Sequence, residues 1–189
     1  AKWTFLVYMA GDNNLDGAAL RDIAEMAKAG STKDVHILVQ LDRIEDQKTR
    51  RFRITQGGGF KKDCIETFSE TNTGDPQILY SFCQWAIANY PADRYALILW
   101  NHGSGWWEDA KSRATEPAGR RPHRTLFRHA FPQAHRSICY DDTSGGDALD
   151  NRELRVVLAG ICVLLGWKID LLGMDACLMN MVEVAWQLR

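Results

Sequence analysis

Four short apolar runs, separated by amphipathic segments, constrain the fold of this chain more than any other feature. The runs lie at residues 3–9, 35–41, 95–100 and 169–172. Between them, residues 15–29 and 76–90 carry apolar side chains at the spacing of one helix face. Buried strands that alternate with helices are typical of a mainly parallel sheet with helices on both faces. The sequence therefore predicts an α/β sandwich.

Shorter elements complete this pattern. Residues 51–55 and 64–68 predict a β-hairpin around the glycines at 57–59. Residues 151–159 and 178–188 are predicted as helices from their apolar spacing.

The size and charge of the chain limit its class. Its 189 residues suffice for one domain, 1–189, with a substantial core. The formal net charge of −1 argues against a protein that binds nucleic acid or anionic membranes over its whole surface. No apolar run approaches the roughly 20 residues that span a bilayer. Because Ala1 opens a strand-like run, we expect the natural N-terminus to lie upstream, which leaves the compartment undetermined and export to a bacterial surface open.

Two of the apolar runs end in residues with reactive side chains. His102 and Gly103 follow the run at 95–100, and Cys177 lies just past the run that begins at Ile169. The carboxyl ends of parallel strands meet at one sheet edge, where a Cys and a His form a nucleophile and base pair. We expect Gly103 to allow a tight turn that aims the imidazole outward. We expect Cys177 to start a helix whose dipole favours the thiolate.

The remaining cysteines have no comparable context. They are Cys64, Cys83, Cys139 and Cys162. Their irregular spacing, the odd total and the lack of a C-x-x-C pair argue against a zinc ribbon, a redox motif and a disulfide framework. We expect most of them to be small buried hydrophobic residues.

Residues 111–137 differ in composition from the rest of the chain. They contain seven Lys or Arg residues, one acidic residue and three of the five prolines. This composition predicts a long exposed loop. Its histidines, His123, His129 and His135, are expected to be solvated, and without a helical His pair they predict no metal site.

Three blocks at predicted strand ends resemble the clostripain family of cysteine peptidases, which belongs to the caspase-like group. The blocks are Tyr8–Leu15 (YMAGDNNL), Leu99–Trp106 (LWNHGSGW) and Gly173–Asn180 (GMDACLMN). The resemblance covers nearly the whole chain in family order. It implies an α/β caspase-like three-layer sandwich, with a mainly parallel central sheet and helices on both faces.

The resemblance also implies a function. By residue match, His102 and Cys177 form a His/Cys dyad that cleaves peptide bonds after Arg or Lys. Asp175, two residues before the cysteine, corresponds to the acidic residue of the pocket for the basic side chain. Members of the family continue well past the helix that follows the cysteine, so we expect this chain to be truncated at its C-terminal end.

Family members commonly mature by cutting themselves between the His and the Cys, where the basic segment 111–137 lies. Arg120, Arg124 and Arg128 are the candidate cleavage positions, whereas Arg121 precedes a proline and is a poor one. A solvated insertion without a processing role is the alternative for this segment.

For other residues at the predicted sheet edge, the sequence allows more than one role. The backbone N–H groups of Gly103 and Cys177 are expected to bind the oxyanion of the tetrahedral intermediate. Asp12 and Asn13 either cap the helix that begins near residue 15 or contact the substrate. Asp175 either caps the following helix or is a buried anion that faces the substrate's Arg or Lys.

This chemistry requires no cofactor. Calcium remains open because some clostripain-like enzymes depend on it, and Asp141, Asp142 and Asp147 have a suitable oxygen spacing. The segment lacks the Glu of an EF-hand, so a turn with helix caps is the preferred interpretation. The predicted partner is a peptide or protein substrate with Arg or Lys before the cleaved bond. Binding to nucleic acid or to a membrane is not predicted.

A catalytically silent scaffold is the alternative function. In that case the basic segment would bind acidic partners or nucleic acid, with strong salt dependence. The intact His102 and Cys177 argue against this alternative.

Overall fold

The computed structural model of the chain describes residues 1–103, 137–177 and 179–189. The elements are, in chain order, β1 (Trp3–Gly11), α1 (Asp16–Ala29), β2 (Val35–Arg43), β3 (Lys48–Arg53), β4 (Cys64–Thr67), α2 (Pro76–Asn89), β5 (Arg94–Trp100), β6 (Ser137–Asp141), β7 (Asp147–Asp150), α3 (Asn151–Leu165), β8 (Leu171–Asp175) and α4 (Val182–Leu188).

A six-stranded sheet with the strand order β4-β3-β2-β1-β5-β8 forms the centre. Strands β1, β2, β5 and β8 run parallel to one another, whereas β3 and β4 are antiparallel to their neighbours. Strands β6 and β7 form a separate antiparallel pair. The predicted α/β class, the mainly parallel sheet and the hairpin of β3 with β4 are confirmed.

Helices cover both faces of this sheet. In β1, Leu6 and Tyr8 point into a core layer shared with α2, α3 and α4, whereas Val7 and Met9 point into a second layer with α1. Successive side chains of a strand point to opposite faces, so one uniformly apolar strand supplies both layers. The three-layer sandwich expected from the sequence is confirmed.

Local sequence fixes where α2 and α3 begin. The Asp75 side chain accepts a hydrogen bond from the Gln77 N–H at 2.8 Å, and proline occupies the first turn of α2. The Asp150 side chain accepts from the N–H groups of Arg152 and Glu153, and Glu153 accepts from the Asp150 N–H in return. This capping box satisfies donors that the first helical turn leaves unpaired.

Several predicted boundaries were wrong. Helix α3 continues to Leu165 because its apolar face extends beyond residue 159. Strand β8 ends at Asp175, which pairs with Trp100, so it is shifted from the predicted 169–172. Strand β7 was not predicted.

The helix after Cys177 also starts later than predicted. Helix α4 begins at Val182 rather than at residue 178. Met179 is 2% exposed, and Met181 has an extended backbone with φ −102° and ψ 146°. Because α4 begins only at Val182, Cys177 lies in a turn and not at a helix N-terminus. The proposed stabilisation of its thiolate by a helix dipole therefore has no basis in this structure.

Most of the basic segment, with His123, His129 and His135, lies outside the described residues, which resume at Ser137 in β6. In the part of the chain that is described, no helix is both long enough and apolar enough to cross a membrane.

The burial of β5 gives a direct stability prediction. Leu97 is 0% exposed in the layer between the sheet and α2. We expect Leu97→Ala to lower the free energy of unfolding by about 2–5 kcal/mol, because lost burial and the remaining cavity add. Val163→Ala, at a residue that is 83% exposed, should change it by less than about 0.5 kcal/mol. Urea denaturation followed by circular dichroism measures both, and equal losses would contradict the buried position of Leu97.

Candidate active site

The carboxyl ends of β1, β5 and β8 meet at one edge of the sheet. Met9 lies beside Trp100, and Trp100 lies beside Asp175. The segments that follow these strands are residues 12–14, 101–103 and 176–177, which belong to the three blocks singled out in the sequence. Parallel pairing therefore brings all three blocks to the edge where α/β proteins bind ligands.

Asn101 connects these strand ends. Its backbone N–H donates to the Asp175 carbonyl at 3.2 Å, and its side-chain amide donates to the Ala10 carbonyl. Its side-chain oxygen accepts from the Tyr140 N–H at 2.9 Å. Asn101 is 4% exposed, so these bonds are shielded from water and fix the backbone just before His102.

Gly103 packs directly on the backbone around the cysteine. A Cβ atom at this position would lie 2.5 Å from the Cys177 carbonyl oxygen and 3.1 Å from Ala176 Cβ. Because no side chain fits into this space, the glycine permits the close approach of the His and Cys segments. Gly103 does not have a positive φ, so the tight turn expected from the sequence is not the reason for a glycine here.

The His102 imidazole has a partner from the β1 end. Its Nε2 lies 2.7 Å from the Asn14 side-chain oxygen. A carbonyl oxygen only accepts hydrogen bonds, so this contact requires a proton on Nε2. In the neutral ring the lone pair then resides on Nδ1, which is left to accept a proton. This contact of Asn14 was not predicted from the sequence.

Exposure distinguishes Cys177 from the other thiols. The five cysteines are all free, and Cys177 is the exposed one. Burial raises the pKa of Cys83 to about 12 and raises that of Cys139 still further, so neither forms a thiolate near neutral pH. Cys64 and Cys162 are half-buried, on β4 and α3, away from the strand ends that carry His102.

Asp175 ends β8 and is exposed, in contrast to the buried anion that the sequence suggested. The difference arises because β8 is the last strand of the described sheet. Among the described residues, no Lys or Arg forms an ion pair with Asp175. Its carboxylate is thus available to a positively charged group two residues from Cys177.

Asp12 and Asn13 lie beneath the edge. They are 0% and 3% exposed, so neither side chain reaches solvent where a substrate would bind. The Asn13 amide nitrogen donates to the carbonyls of Ala10 and Tyr140, and its oxygen accepts from the Leu15 N–H at 2.9 Å. Asn13 therefore orders the backbone ahead of α1, and Leu15 itself is the N-cap.

Asp12 belongs to a buried group of four carboxylates together with Asp42, Glu70 and Asp141. Burial is the main cause that raises the pKa values of Asp12, of Asp42 to about 6 and of Glu70 to about 9. Asp42 and Asp12 raise the pKa of Glu70 further, whereas hydrogen bonds with Glu70 and with a threonine hydroxyl partly offset the rise at Asp12 and at Asp42. In the described part of the chain, these are the residues with the right chemistry to hold a metal ion. Asp42 and Glu70 could not be predicted as members of this group, since distant segments of the chain bring them together.

The three aspartates of the loop 141–147, considered for calcium from the sequence, have different surroundings. Asp141 turns inward to the carboxylate group, Asp142 is exposed, and the Asp147 side chain accepts from Asn72 Nδ2 at 2.6 Å. The segment forms a turn, but the residue that caps α3 is Asp150 and none of these three aspartates.

Comparison with solved structures supports the fold. A secreted C11 cysteine protease from Bacteroides thetaiotaomicron, in complex with an irreversible peptide inhibitor, matches with a TM-score of 0.68 and 25% identity, over 100% of this chain and 46% of that one. A second secreted C11 cysteine protease from the same organism, "iotapain", has a TM-score of 0.71 and 17% identity, over 100% and 50%. An inactive zymogen C11 protease from Parabacteroides distasonis has a TM-score of 0.65 and 23% identity, over 98% and 45%.

Sequence comparison gives the relationship directly. Clostripain from Hathewaya histolytica is 33% identical over 214 aligned residues, which cover 100% of this chain and 36% of that protein. The chain thus spans about a third of this relative's length and about half that of the two Bacteroides structures. The sequence profile of the clostripain family matches residues 7–189. The chain therefore belongs to the clostripain family, peptidase family C11.

Proposed function

We propose that the protein is a cysteine endopeptidase that cleaves peptide bonds after Arg or Lys, with Cys177 as nucleophile and His102 as base and acid. The observation that carries this proposal is the packing of Gly103 against the Cys177 carbonyl. This packing brings the segment that carries the exposed thiol of Cys177 against the segment that carries His102, whose imidazole contacts Asn14. A nucleophile, a base and a residue that orients the base are the parts that thiol catalysis needs.

The proposed reaction follows from these parts. Cys177 gives its proton to His102, and its thiolate attacks the carbonyl carbon of the scissile bond. The N–H groups of Gly103 and Cys177 donate to the oxyanion that forms. His102 then protonates the leaving amine as the carbon–nitrogen bond breaks, and water hydrolyses the acyl-enzyme. The bond from His102 to Asn14 keeps the ring oriented through both proton transfers.

Asp175 is the proposed recognition element for the basic side chain. It ends β8, two residues before Cys177, with an exposed carboxylate that pairs with no cation among the described residues. An Arg guanidinium or a Lys ammonium bound to it would form a charge-assisted hydrogen bond. The substrate itself would then reduce the access of water to this carboxylate and strengthen the interaction.

Replacing the nucleophile gives the first functional prediction. Cys177→Ala should abolish hydrolysis of a fluorogenic peptide that ends in Arg, because the other thiols are buried or half-buried and lie away from His102. Cys162→Ala is the matched control on α3, and it should retain the wild-type rate. Circular dichroism of both variants checks the fold. Full activity of Cys177→Ala, or loss of activity in Cys162→Ala, would refute the assignment.

Neutralising Asp175 tests specificity. Asp175→Asn should lower kcat/KM for an Arg substrate by about 30-fold or more, since losing one partner of a desolvated charge pair costs roughly 2–5 kcal/mol. Hydrolysis of the matching Gln substrate should change little, so the preference of Arg over Gln should collapse. The control Asp142→Asn removes an exposed charge elsewhere and should preserve this preference. An unchanged preference in Asp175→Asn would locate the pocket elsewhere.

Self-processing within the basic segment is the third prediction. Arg120, Arg124 and Arg128 are the proposed positions, and they lie outside the described residues. A proline-containing, Arg-rich segment is a suitable substrate for an enzyme with this specificity. Intact mass spectrometry of the full-length protein should reveal two fragments in the wild type and one chain in Cys177→Ala. Identical masses for both proteins under active conditions would refute self-processing.

A further inference from the structure

Strand β6 is irregular where it passes the candidate site. Its pairing with β7 shifts register between Ile138 and Asp141, so that three steps along β6 face two steps along β7, from 149 to 147. One extra residue of this kind defines a β-bulge, a feature that is common next to active sites. The bulge consists of Cys139 and Tyr140.

Cys139 has a backbone conformation that residues other than glycine rarely adopt. Its φ is 64°, in the left-handed region, and among the described residues only Gln47 shares a positive φ without being a glycine. Glycine is the usual residue at a left-handed bulge position, because a Cβ atom crowds the neighbouring carbonyl there. The strain at Cys139 therefore needs an explanation.

Neither the thiol nor the turn after β6 explains a strained residue here. Burial raises the pKa of the Cys139 thiol, so reactivity gives no reason for a cysteine. The turn has its own residues with positive φ, Gly145 and Gly146, at 79° and 75°. The Gly146 N–H closes this turn onto the Asp141 carbonyl at 2.9 Å. The turn therefore does not require the bulge.

The bulge directs both peptide groups of Tyr140 toward the candidate site. A bulge interrupts the ladder and re-aims the groups beside it. The Tyr140 N–H donates to the Asn101 side-chain oxygen at 2.9 Å, and the Tyr140 carbonyl accepts from the Asn13 side-chain nitrogen at 2.9 Å. Asn101 and Asn13 are both buried, so water does not compete for these hydrogen bonds.

A second contact of β6 lies on the other side of His102 in the chain. Ile138, which precedes Cys139, forms an antiparallel bridge with Gly103. Gly103 in turn packs on the Cys177 carbonyl. The segment that carries His102 is thus held between β6 and the segment that carries the exposed thiol.

We propose that Cys139 is a positioning residue for His102, because its left-handed backbone forms the bulge that holds residues 101–103 against Cys177. This inference rests on the proposed function and adds a residue that acts through another. An extended residue at this position would turn Tyr140 to the opposite side of the strand. Its hydrogen bond to the segment before the imidazole would be lost, and a small misplacement of the imidazole from the thiol slows the reaction.

Substitutions at Cys139 separate the effect of the backbone from that of the side chain. Cys139→Val should lower kcat for the Arg peptide by roughly tenfold or more, because a β-branched residue strongly disfavours a positive φ. Cys139→Gly should recover most of the wild-type kcat, since glycine keeps the left-handed backbone although the buried side chain is lost. KM and the preference of Arg over Gln should change little in both variants, because Asp175 is untouched.

Cys83→Val is the matched control. Cys83 is 1% exposed in the same core layer as Cys139, but it lies in α2, where valine keeps a helical backbone. This variant adds the same volume to the core and should retain the wild-type kcat. A loss equal to that of Cys139→Val would overturn the proposal, since added volume alone would then explain both variants.

Two measurements require no catalysis. The ¹⁵N shifts of the His102 ring, assigned with His102→Gln, should show the Nε2-protonated tautomer in the wild type and in Cys139→Gly, and a mixture of tautomers in Cys139→Val. The Tm of Cys139→Gly should equal or exceed that of Cys139→Ala, the reverse of the order in helices and strands, because glycine avoids the cost of a positive φ. The Tm comparison needs no folded valine variant.

The outcomes distinguish this proposal from the proposed function. A wild type without peptidase activity would refute the function, whereas the ring tautomer and the Tm order would still test the positioning role. Wild-type kcat and tautomer in Cys139→Val would overturn the proposal. An equal loss of kcat in Cys139→Gly would also overturn it, because the side chain would then be responsible. So would a Tm of Cys139→Gly below that of Cys139→Ala.

Discussion

The rest of the candidate site depends on the hydrogen bonds of Asn101, whose side chain is buried. It connects the Ala10 carbonyl at the end of β1 to the Tyr140 N–H of β6, while its backbone N–H binds Asp175 of β8. An amide is suited to this position because it offers a donor and an acceptor without a charge that burial would penalise. His102 and Gly103 follow directly, so their placement against Cys177 depends on this one side chain.

The fold could largely be predicted from the sequence because its parallel strands contain long apolar runs. A run such as 95–100 must be buried on both faces, and this requires helices on both sides of a parallel sheet. Boundaries were less predictable where tertiary packing decides them. The apolar residues after Cys177 have helical spacing, but Met179 is buried, Met181 has an extended backbone, and α4 begins only at Val182.

The candidate site was predictable only in part. His102, Cys177 and Asp175 stand out because each lies at the end of an apolar run. The partner of His102 was missed because Asn14 lies in a motif where helix caps are common, and its contact spans 88 positions of the chain. Asp42 and Glu70 carry no local signal at all, since an acidic group from four segments exists only after the strands have paired.

Labelling of the thiol tests the central claim most directly. The full-length protein would be treated with a thiol-reactive peptide that carries Arg at the cleavage position, and the modified cysteine identified by mass spectrometry after digestion. The account predicts one adduct, on Cys177, that forms much more slowly with the corresponding Gln peptide and that requires the folded protein. Modification of Cys64 or Cys162 instead, or equal rates with the Arg and Gln peptides, would contradict it.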